Sequence, residues 1–533
     1  MKVKLQNIEK WFFYLFALFN LLPLLLFKTF PTLDGAAHLY NANIIKNLLE
    51  KNELFQSFFI INPELIPNWM GHILLLVLNF AFSPILSEKI LQIGIIFLTA
   101  YSFRQLISVI SKENIVVSYF IFPFTYSFTF ILGFYNFSIA VVFMFFTIAF
   151  FIKHNFKNFT TIVILSILFL ATYFSHIFIF GITLLICGLL IFAQAIFDNK
   201  TKQGFSQFLQ TFIKKLSVLI LSSFIPLGLL IHYFITRIGS ETQVTFIPTE
   251  ELINWLKNIR SIIALHFLEE GKYTEKIAYV LFGLTFIGIV KRKITAFQVL
   301  KENNWKIKEV YQKNDIWYIS LLIIIFLYFF LPDSDGNAGY VSTRLNYLIF
   351  IYLIIWVSTF KISKWILYIS ALAILFFTIK LNNYYISQYK NFNSTAKECL
   401  QQATLIENNT IVLPINVSNN WFYSHFSNYL AIEKNIILME NYEAATGYFP
   451  INWNYENMPY MKIGSMSIED FDCLYWKTNH KKTSDVFEYI FILGNINDKS
   501  EKCWTDVIEL LNNEYKLINT TEKTSLYKII KTT

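Results

Sequence analysis

Long apolar runs separated by short polar stretches recur along most of the chain. Each run is roughly 16 to 25 residues long, close to the ~20 residues that a helix needs to cross about 30 Å of hydrocarbon. Short segments of alternating apolar and polar residues, which typify β-barrels, are not the pattern here. We therefore predict a polytopic α-helical membrane protein with about eleven transmembrane helices. The predicted spans are 11–28, 85–108, 115–132, 138–152, 158–174, 177–196, 216–235, 277–290, 316–332, 345–360 and 363–380.

The apolar stretch 67–82 decides the topology. If it lies at the membrane surface, the basic residues gather in alternate loops, which the positive-inside rule assigns to the cytoplasm. If it crosses, every later loop changes side and the basic loops face outward. We therefore place 67–82 as the second of two interfacial helices in a long first outer loop, 29–84. The first run, 11–28, is kept as a span because no small-residue cleavage site follows it.

The composition changes after residue 380. Asn, Glu, Lys and Tyr replace the apolar runs, strand-like stretches occur at 410–415, 435–439 and 489–493, and a helical pattern occurs at 504–511. We predict a transmembrane region, 1–380, followed by a small soluble α/β domain, 381–533. An odd number of spans with a cytoplasmic N-terminus places that domain outside the cytoplasm, at a bacterial-type inner or cell membrane.

Composition supports a lipid environment. The 533 residues are 55% hydrophobic and 15% charged, which is too apolar for an ordinary soluble protein. The formal charge of +8 does not indicate nucleic acid as a partner, because membrane topology accounts for where the basic residues lie. Of the four cysteines, Cys473 and Cys503 are candidates for a disulfide bond if the tail is extracytoplasmic, and their spacing alone leaves this open.

Ionisable residues near a membrane are costly, so those on one face are candidates for function. In the first outer loop, Asp34 and His38 are four residues apart and share one face of a predicted helix. The alternative is that Asp34 caps this helix and His38 is simply its partner. His72, at the start of the second interfacial helix, is a further candidate, although a lone histidine on an apolar face is often structural.

Later outer loops add five candidates. Tyr135 and Asn136 lie in one very short loop and His176 in another, and an interfacial aromatic belt is the alternative explanation for both loops. Tyr340 and Arg344 end a longer loop. Arg344 is able to snorkel to the interface, but its planar guanidinium also suits a phosphate.

With these residues in view, the chain resembles the GT-C superfamily of membrane glycosyltransferases over roughly residues 1 to 380. The resemblance rests on a first span, an outer loop that opens with an Asp-centred helix, a second interfacial helix and alternating spans. Its motifs are PTLDGAAHLYNA with Asp34, NPELIPNWMGH with His72, LGFYNF with Asn136, YFSH with His176 and GYVSTR with Arg344.

The resemblance implies transfer of a sugar from a polyprenyl-phosphate-linked donor to a lipid or glycan acceptor at the outer face of the membrane. Asp34 would act as the general base and Arg344 would bind the donor phosphate. The other candidates would orient the sugar or the acceptor: His38, His72, Tyr135, Asn136, His176 and Tyr340.

Metal dependence is left open by the sequence. Many members of the superfamily carry a second acidic residue beside the first aspartate, whereas Gly35 follows Asp34 here. Asp333 and Asp335 are candidate ligands for a divalent cation, but two carboxylates without a third ligand are a weak signal.

Two other functions fit the same sequence. One is a transporter or flippase of a lipid-linked glycan, and the other is a non-catalytic membrane assembly protein in which the tail acts. Transporters usually carry polar or broken helices at mid-membrane, whereas the spans here are dominated by Phe, Leu and Ile. The composition of the spans therefore favours the enzyme.

The predicted topology is testable with reporter fusions. A reporter fused after Lys380 should be active only outside the cytoplasm, because eleven spans and a cytoplasmic N-terminus place that point on the outer side. Paired reporters that require opposite compartments provide the measurement. Activity restricted to the cytoplasmic reporter would reverse the side of every motif after the first loop.

Overall fold

The structure is a computed structural model that describes residues 2–154, 158–199, 205–236, 243–305, 310, 312–334, 339–456, 487–496 and 502–530. Helices dominate it. The first nine are α1 (Lys2–Phe19), α2 (Leu22–Leu25), α3 (Gly35–Leu49), α4 (Glu53–Phe58), α5 (Met70–Asn79), α6 (Pro84–Ile110), α7 (Phe128–Ile131), α8 (Tyr135–Lys153) and α9 (Phe159–Ser175). The others are α10 (Ile177–Asn199), α11 (Phe205–Ile235), α12 (Thr249–Asn258), α13 (Phe267–Glu302), α14 (Asp315–Phe330), α15 (Val341–Ser358), α16 (Lys364–Thr404), α17 (Tyr442–Thr446) and α18 (Lys502–Glu514).

Eight helical segments of the described chain are long and apolar enough to cross a membrane, which is the architecture of a helical membrane protein. Each overlaps a predicted span, although the last continues well beyond the predicted end at residue 380. They are Asn7–Leu25, Pro84–Ile110, Lys112–Ile131, Tyr135–Lys153, Ile177–Ile196, Phe208–Ile235, Val341–Ser358 and Lys364–Thr404. Three shorter apolar helices, α5, α9 and α14, accompany them.

The chain divides into two compact units. Unit 1 comprises residues 1–23 and 94–385, and unit 2 comprises residues 24–93 and 386–533. The upper limit of unit 1 lies close to the predicted boundary at residue 380. What the sequence did not indicate is that the whole of segment 29–84, the predicted first outer loop, belongs to the same unit as the C-terminal part of the chain.

Unit 1 is a helical bundle with a buried centre. Its segments Lys112–Ile131 and Val341–Ser358 are each 89% buried, whereas Phe208–Ile235 is 22% buried. The first of these central segments is mostly a 3-10 helix, Lys112–Tyr126, which contains Pro123. The exposed apolar face of α11 is therefore the surface that lipid would cover.

Unit 2 contains a five-stranded mixed sheet. Its strands are β2 (Thr410–Asn416), β3 (Ile436–Leu438), β5 (Tyr489–Leu493), β6 (Tyr515–Thr520) and β7 (Thr524–Ile529), in the order β3-β2-β5-β7-β6. β2 pairs in parallel with β3 and β5, and β7 pairs antiparallel with β5 and β6. A separate antiparallel pair joins β1 (Phe59–Ile61) to β4 (Ile451–Trp453). Strands thus occur at all three predicted stretches, and β2 and β5 are buried along nearly all of their length.

Helix α3 is fixed to this sheet through polar side chains. Tyr40 donates its hydroxyl to the carbonyl of Ile436 at 3.1 Å and accepts from the amide of Leu438 at 3.0 Å. Asn43 donates to the carbonyls of Ala431 and Lys434. Because β3 is an edge strand, Tyr40 satisfies backbone groups that would otherwise be buried without partners.

Replacing Tyr40 with Phe should lower the free energy of unfolding by about 1 to 3 kcal/mol, because two buried backbone groups of β3 lose their partner. Thermal unfolding of the purified chain in detergent measures the change. Tyr455→Phe is the matched control, since Tyr455 is 64% exposed, and it should have almost no effect. Equal stability of the two variants would contradict the role given to Tyr40.

Candidate functional site

The site in unit 2 begins on one face of α3. Asp34, His38 and Asn41 follow one another at helical spacing, so their side chains project to the same side. All three side chains are almost completely buried. They face the segment that follows β3, which carries Glu440 and Glu443.

Glu443 is the centre of the first group of contacts. Its carboxylate is fully buried and lies between two imidazoles: Oε1 is 2.8 Å from His38 Nδ1, and Oε2 is 2.8 Å from His72 Nε2. The same two nitrogens are 3.3 Å from each other. One ligand atom from each of His38, His72 and Glu443 therefore lies within a sphere small enough to hold a metal ion.

Neighbouring amides hold this group in place. Asn41 donates to Glu443 Oε2 in a short hydrogen bond, and Asn441 donates to Asn41 Oδ1 at 2.6 Å. Asn441 also caps α17 by accepting from the amide of Ala444 at 3.1 Å. The orientation of the Glu443 carboxylate is thus coupled to the start of α17.

The second group of contacts runs from Asp34 to Glu440 through His425. His425 Nε2 is 3.8 Å from Asp34 Oδ1, and His425 Nδ1 is 2.7 Å from Glu440 Oε1. The other oxygen of Glu440 accepts from Ser427 Oγ at 2.8 Å and from the Asn428 side chain. Glu440 is the acceptor that orients the His425 ring, and this ring in turn faces Asp34.

Burial and the nearby histidines shift the pKa values of the Asp34 and Glu443 carboxyl groups in opposite directions, and the balance differs between the two residues. Burial raises the pKa of the Asp34 carboxyl above its usual range, although the nearby His425 and His38 act against it. Burial also raises the pKa of Glu443, but His38 and His72 outweigh that effect and hold its pKa well below the usual range. Asp34 is therefore the better proton acceptor of the two, and Glu443 is the firmly ionised one.

These contacts bear on the structural explanations considered for Asp34 and His72 in segment 29–84. Asp34 stands at the N-cap position of α3, yet within the described chain its side chain accepts no capping hydrogen bond. His72 is not a lone histidine, because it contacts Glu443 through Nε2 and the carbonyl of Asn68 through Nδ1. Capping and isolated packing therefore do not explain these two residues.

A second polar group, the arginine cluster, lies in unit 1 and comprises Arg260, Arg344, His176, Tyr340 and the rings around them. The Arg344 guanidinium carbon is 5.3 Å from the centre of the Phe134 ring and 5.6 Å from that of Phe137.

His176 contacts Phe137 edge to face, with ring centres 5.3 Å apart. Burial and then the charge of Arg344 lower the pKa of His176, so its ring is neutral. Tyr340 packs against Phe134 and Phe128, and Arg260 lies 4.5 Å above the Phe128 ring. Tyr135 and Asn136, both buried, follow Phe134 at the start of α8.

The structure thus gathers the predicted residues into two groups. Asp34, His38 and His72 belong to unit 2, and the arginine cluster with Tyr135 and Asn136 belongs to unit 1. Convergence of the two groups on one cavity stays a prediction. Asp335, proposed as a cation ligand, lies outside the described residues, as do Cys473 and the side chain of Cys503.

Sequence reasoning missed His425, Glu440, Glu443 and Arg260. The available signal for the two glutamates was their position three residues apart directly after a strand-like run, Ile436–Leu438. Two glutamates directly after a buried strand are unusual, because glutamate side chains are seldom buried unless they are paired. For His425, which lies between aromatic residues, the local pattern offered no comparable signal.

No family model matches the chain, and no curated protein matches it. The resemblance to the GT-C superfamily therefore rests on the architecture and the short motifs quoted above. Any activity drawn from it is a proposal that the geometry of the two groups has to support.

Glu440→Gln should lower the free energy of unfolding by about 3 kcal/mol, because it removes the charge that a buried imidazole and two further donors face. Denaturant unfolding in detergent measures this. Glu433→Gln, at an exposed glutamate of the same segment, is the control and should be neutral. Indistinguishable unfolding curves would mean that Glu440 does not hold His425.

Proposed function

We propose that this chain is a membrane glycosyltransferase of the GT-C type. It transfers a sugar from a polyprenyl-phosphate-linked donor to a lipid or glycan acceptor at the outer face of the membrane, with Asp34 as the general base. The observation that carries the proposal is the position of the Asp34 carboxylate. It is buried, it does not cap its helix, and it faces His425 and Tyr442.

The reaction requires a base that removes the proton from the acceptor hydroxyl as this oxygen attacks the anomeric carbon. A carboxylate whose pKa is raised accepts a proton more readily than an exposed one, and His425 and Glu440 keep it oriented. Because the phosphate leaves as a stabilised anion, the protein needs to supply only one base, positioning and support for the phosphate charge.

The arginine cluster supports the proposed binding of the donor phosphate. Arg344 and Arg260 bring two guanidinium groups to one aromatic environment, and guanidinium forks match phosphate oxygens. Within the described chain, His176 Nδ1 is buried without a hydrogen-bond partner, so it is free to contact a substrate. In this proposal Arg344 binds the donor phosphate, while His176, Tyr135, Asn136 and Tyr340 orient the sugar or acceptor.

The proposed topology has eleven spans, with the N-terminus in the cytoplasm and residues 381–533 outside. Helices α9 and α14 are shorter than the eight long segments but have 17 and 16 residues, near the lower limit for crossing. The remaining span, 277–290, lies within α13. Helix α5 has 10 residues, about 15 Å at 1.5 Å per residue, and is too short to cross ~30 Å.

Asp34→Asn should reduce glycan transfer by at least about 100-fold, because it preserves the side-chain shape but removes the base. The measurement compares envelope glycans of cells that lack the chain and are complemented with either form, with the amount of membrane-inserted protein determined in parallel.

Glu53→Gln provides the control, since Glu53 is an exposed acid in the same loop and should leave transfer unchanged. Wild-type amounts of glycan from cells that contain inserted Asp34→Asn protein would exclude Asp34 as the base.

A further inference from the structure

We propose that His38, His72 and Glu443 form a binding site for a divalent transition-metal ion such as Zn²⁺. The site goes beyond the proposed transferase reaction and stands on geometry alone. Its three residues come from α3, α5 and α17, and each side chain is at least nine-tenths buried.

The distance between the two imidazoles fits a shared ion. Two ligand atoms that bind the same Zn²⁺ at 2.0–2.1 Å with a tetrahedral angle are about 3.3 Å apart. His38 Nδ1 and His72 Nε2 are 3.3 Å apart, and both point to the Glu443 carboxylate. The two nitrogen–oxygen distances of 2.8 Å would need to open by about half an ångström to reach the same tetrahedral spacing.

The second nitrogen of His72 indicates why a cation suits the centre. Nδ1 lies 3.3 Å from the carbonyl oxygen of Asn68, which only accepts hydrogen bonds, so Nδ1 carries the proton. Nε2 is then the nitrogen available to a cation, and it lies 2.8 Å from Glu443 Oε2. A metal ion bound between these two atoms would use both as ligands.

Three lone-pair donors converge on this centre. One ligand atom from each of His38, His72 and Glu443 lies within 4.8 Å of the others in a buried space. One divalent cation accepts all three at once.

Further hydrogen bonds hold the proposed metal ligands in place. Metal-binding histidines usually donate their other N–H to a carbonyl or carboxylate, as His72 does to Asn68. Glu443 accepts from Asn41, which is itself held by Asn441. Two imidazoles and one carboxylate favour Zn²⁺ over Mg²⁺ or Ca²⁺ and leave a fourth position for a water or substrate oxygen.

The test is a metal titration of the full chain. Protein purified in detergent and stripped with a chelator is titrated with Co²⁺, whose visible absorption reports coordination, and the bound Co²⁺ is then displaced with Zn²⁺. We expect one equivalent with the spectrum of a four-coordinate site. His72→Ala should abolish it, and Asn41→Ala should weaken it by about 10- to 100-fold.

His232→Ala is the matched control, because His232 is an exposed histidine elsewhere in the chain, and it should keep the full equivalent. Binding that survives in His72→Ala, or that depends on His232, would overturn the site. If His72→Ala does not fold, the wild-type protein still decides. X-ray absorption of its Zn²⁺-loaded form should show two imidazole ligands, and fewer imidazoles or no stoichiometric binding would refute the proposal.

The titration measures bound metal and not transferred sugar. A chain that binds Zn²⁺ but transfers no sugar refutes the transferase alone. A chain that transfers sugar through Asp34 but binds no metal refutes the metal site alone.

Discussion

The pairing of two buried glutamates with histidines is the interaction on which unit 2 depends. Glu440 holds His425, and Glu443 holds His38 and His72. An ionised carboxylate in a buried site is very costly unless it is paired and hydrogen-bonded, so these contacts have to form together with the fold. They connect residues far apart in the chain, as in the Glu443–His72 pair, which is separated by 371 positions.

The same network also positions the proposed base, Asp34. Asp34 shares a helix face with His38 and Asn41, so the contacts that hold those two residues also fix the direction of the Asp34 carboxylate. Tyr40 anchors α3 to the edge strand β3 and thereby fixes the position of that helix face along the sheet. A change at Glu440 or Glu443 is therefore expected to alter both stability and the site. Asp34→Asn, which preserves the side-chain shape, tests the proposed base separately.

Local pattern was enough to predict much of the architecture. Apolar runs marked the eight described helices that are long enough to cross a membrane, and buried β-rich stretches marked β2, β3 and β5. Both signals are visible in the sequence because each lies within one continuous stretch of the chain. The pair Asp34 and His38 was also visible, since helical spacing places them together. Their partners were not predictable, because Glu443 and His425 reach the site only through long-range folding, and nothing adjacent to them in sequence specifies α3 or α5 as neighbours.

The central claim is that the buried carboxylate of Asp34 lies at a reaction centre for a lipid-linked sugar. An experimental structure of the full chain with polyprenyl phosphate bound tests it most directly. The account predicts that the phosphate contacts Arg344 and that Asp34 faces the same cavity on the side where the sugar would be attached. A bound lipid whose head group reaches neither Arg344 nor Asp34 would contradict the account.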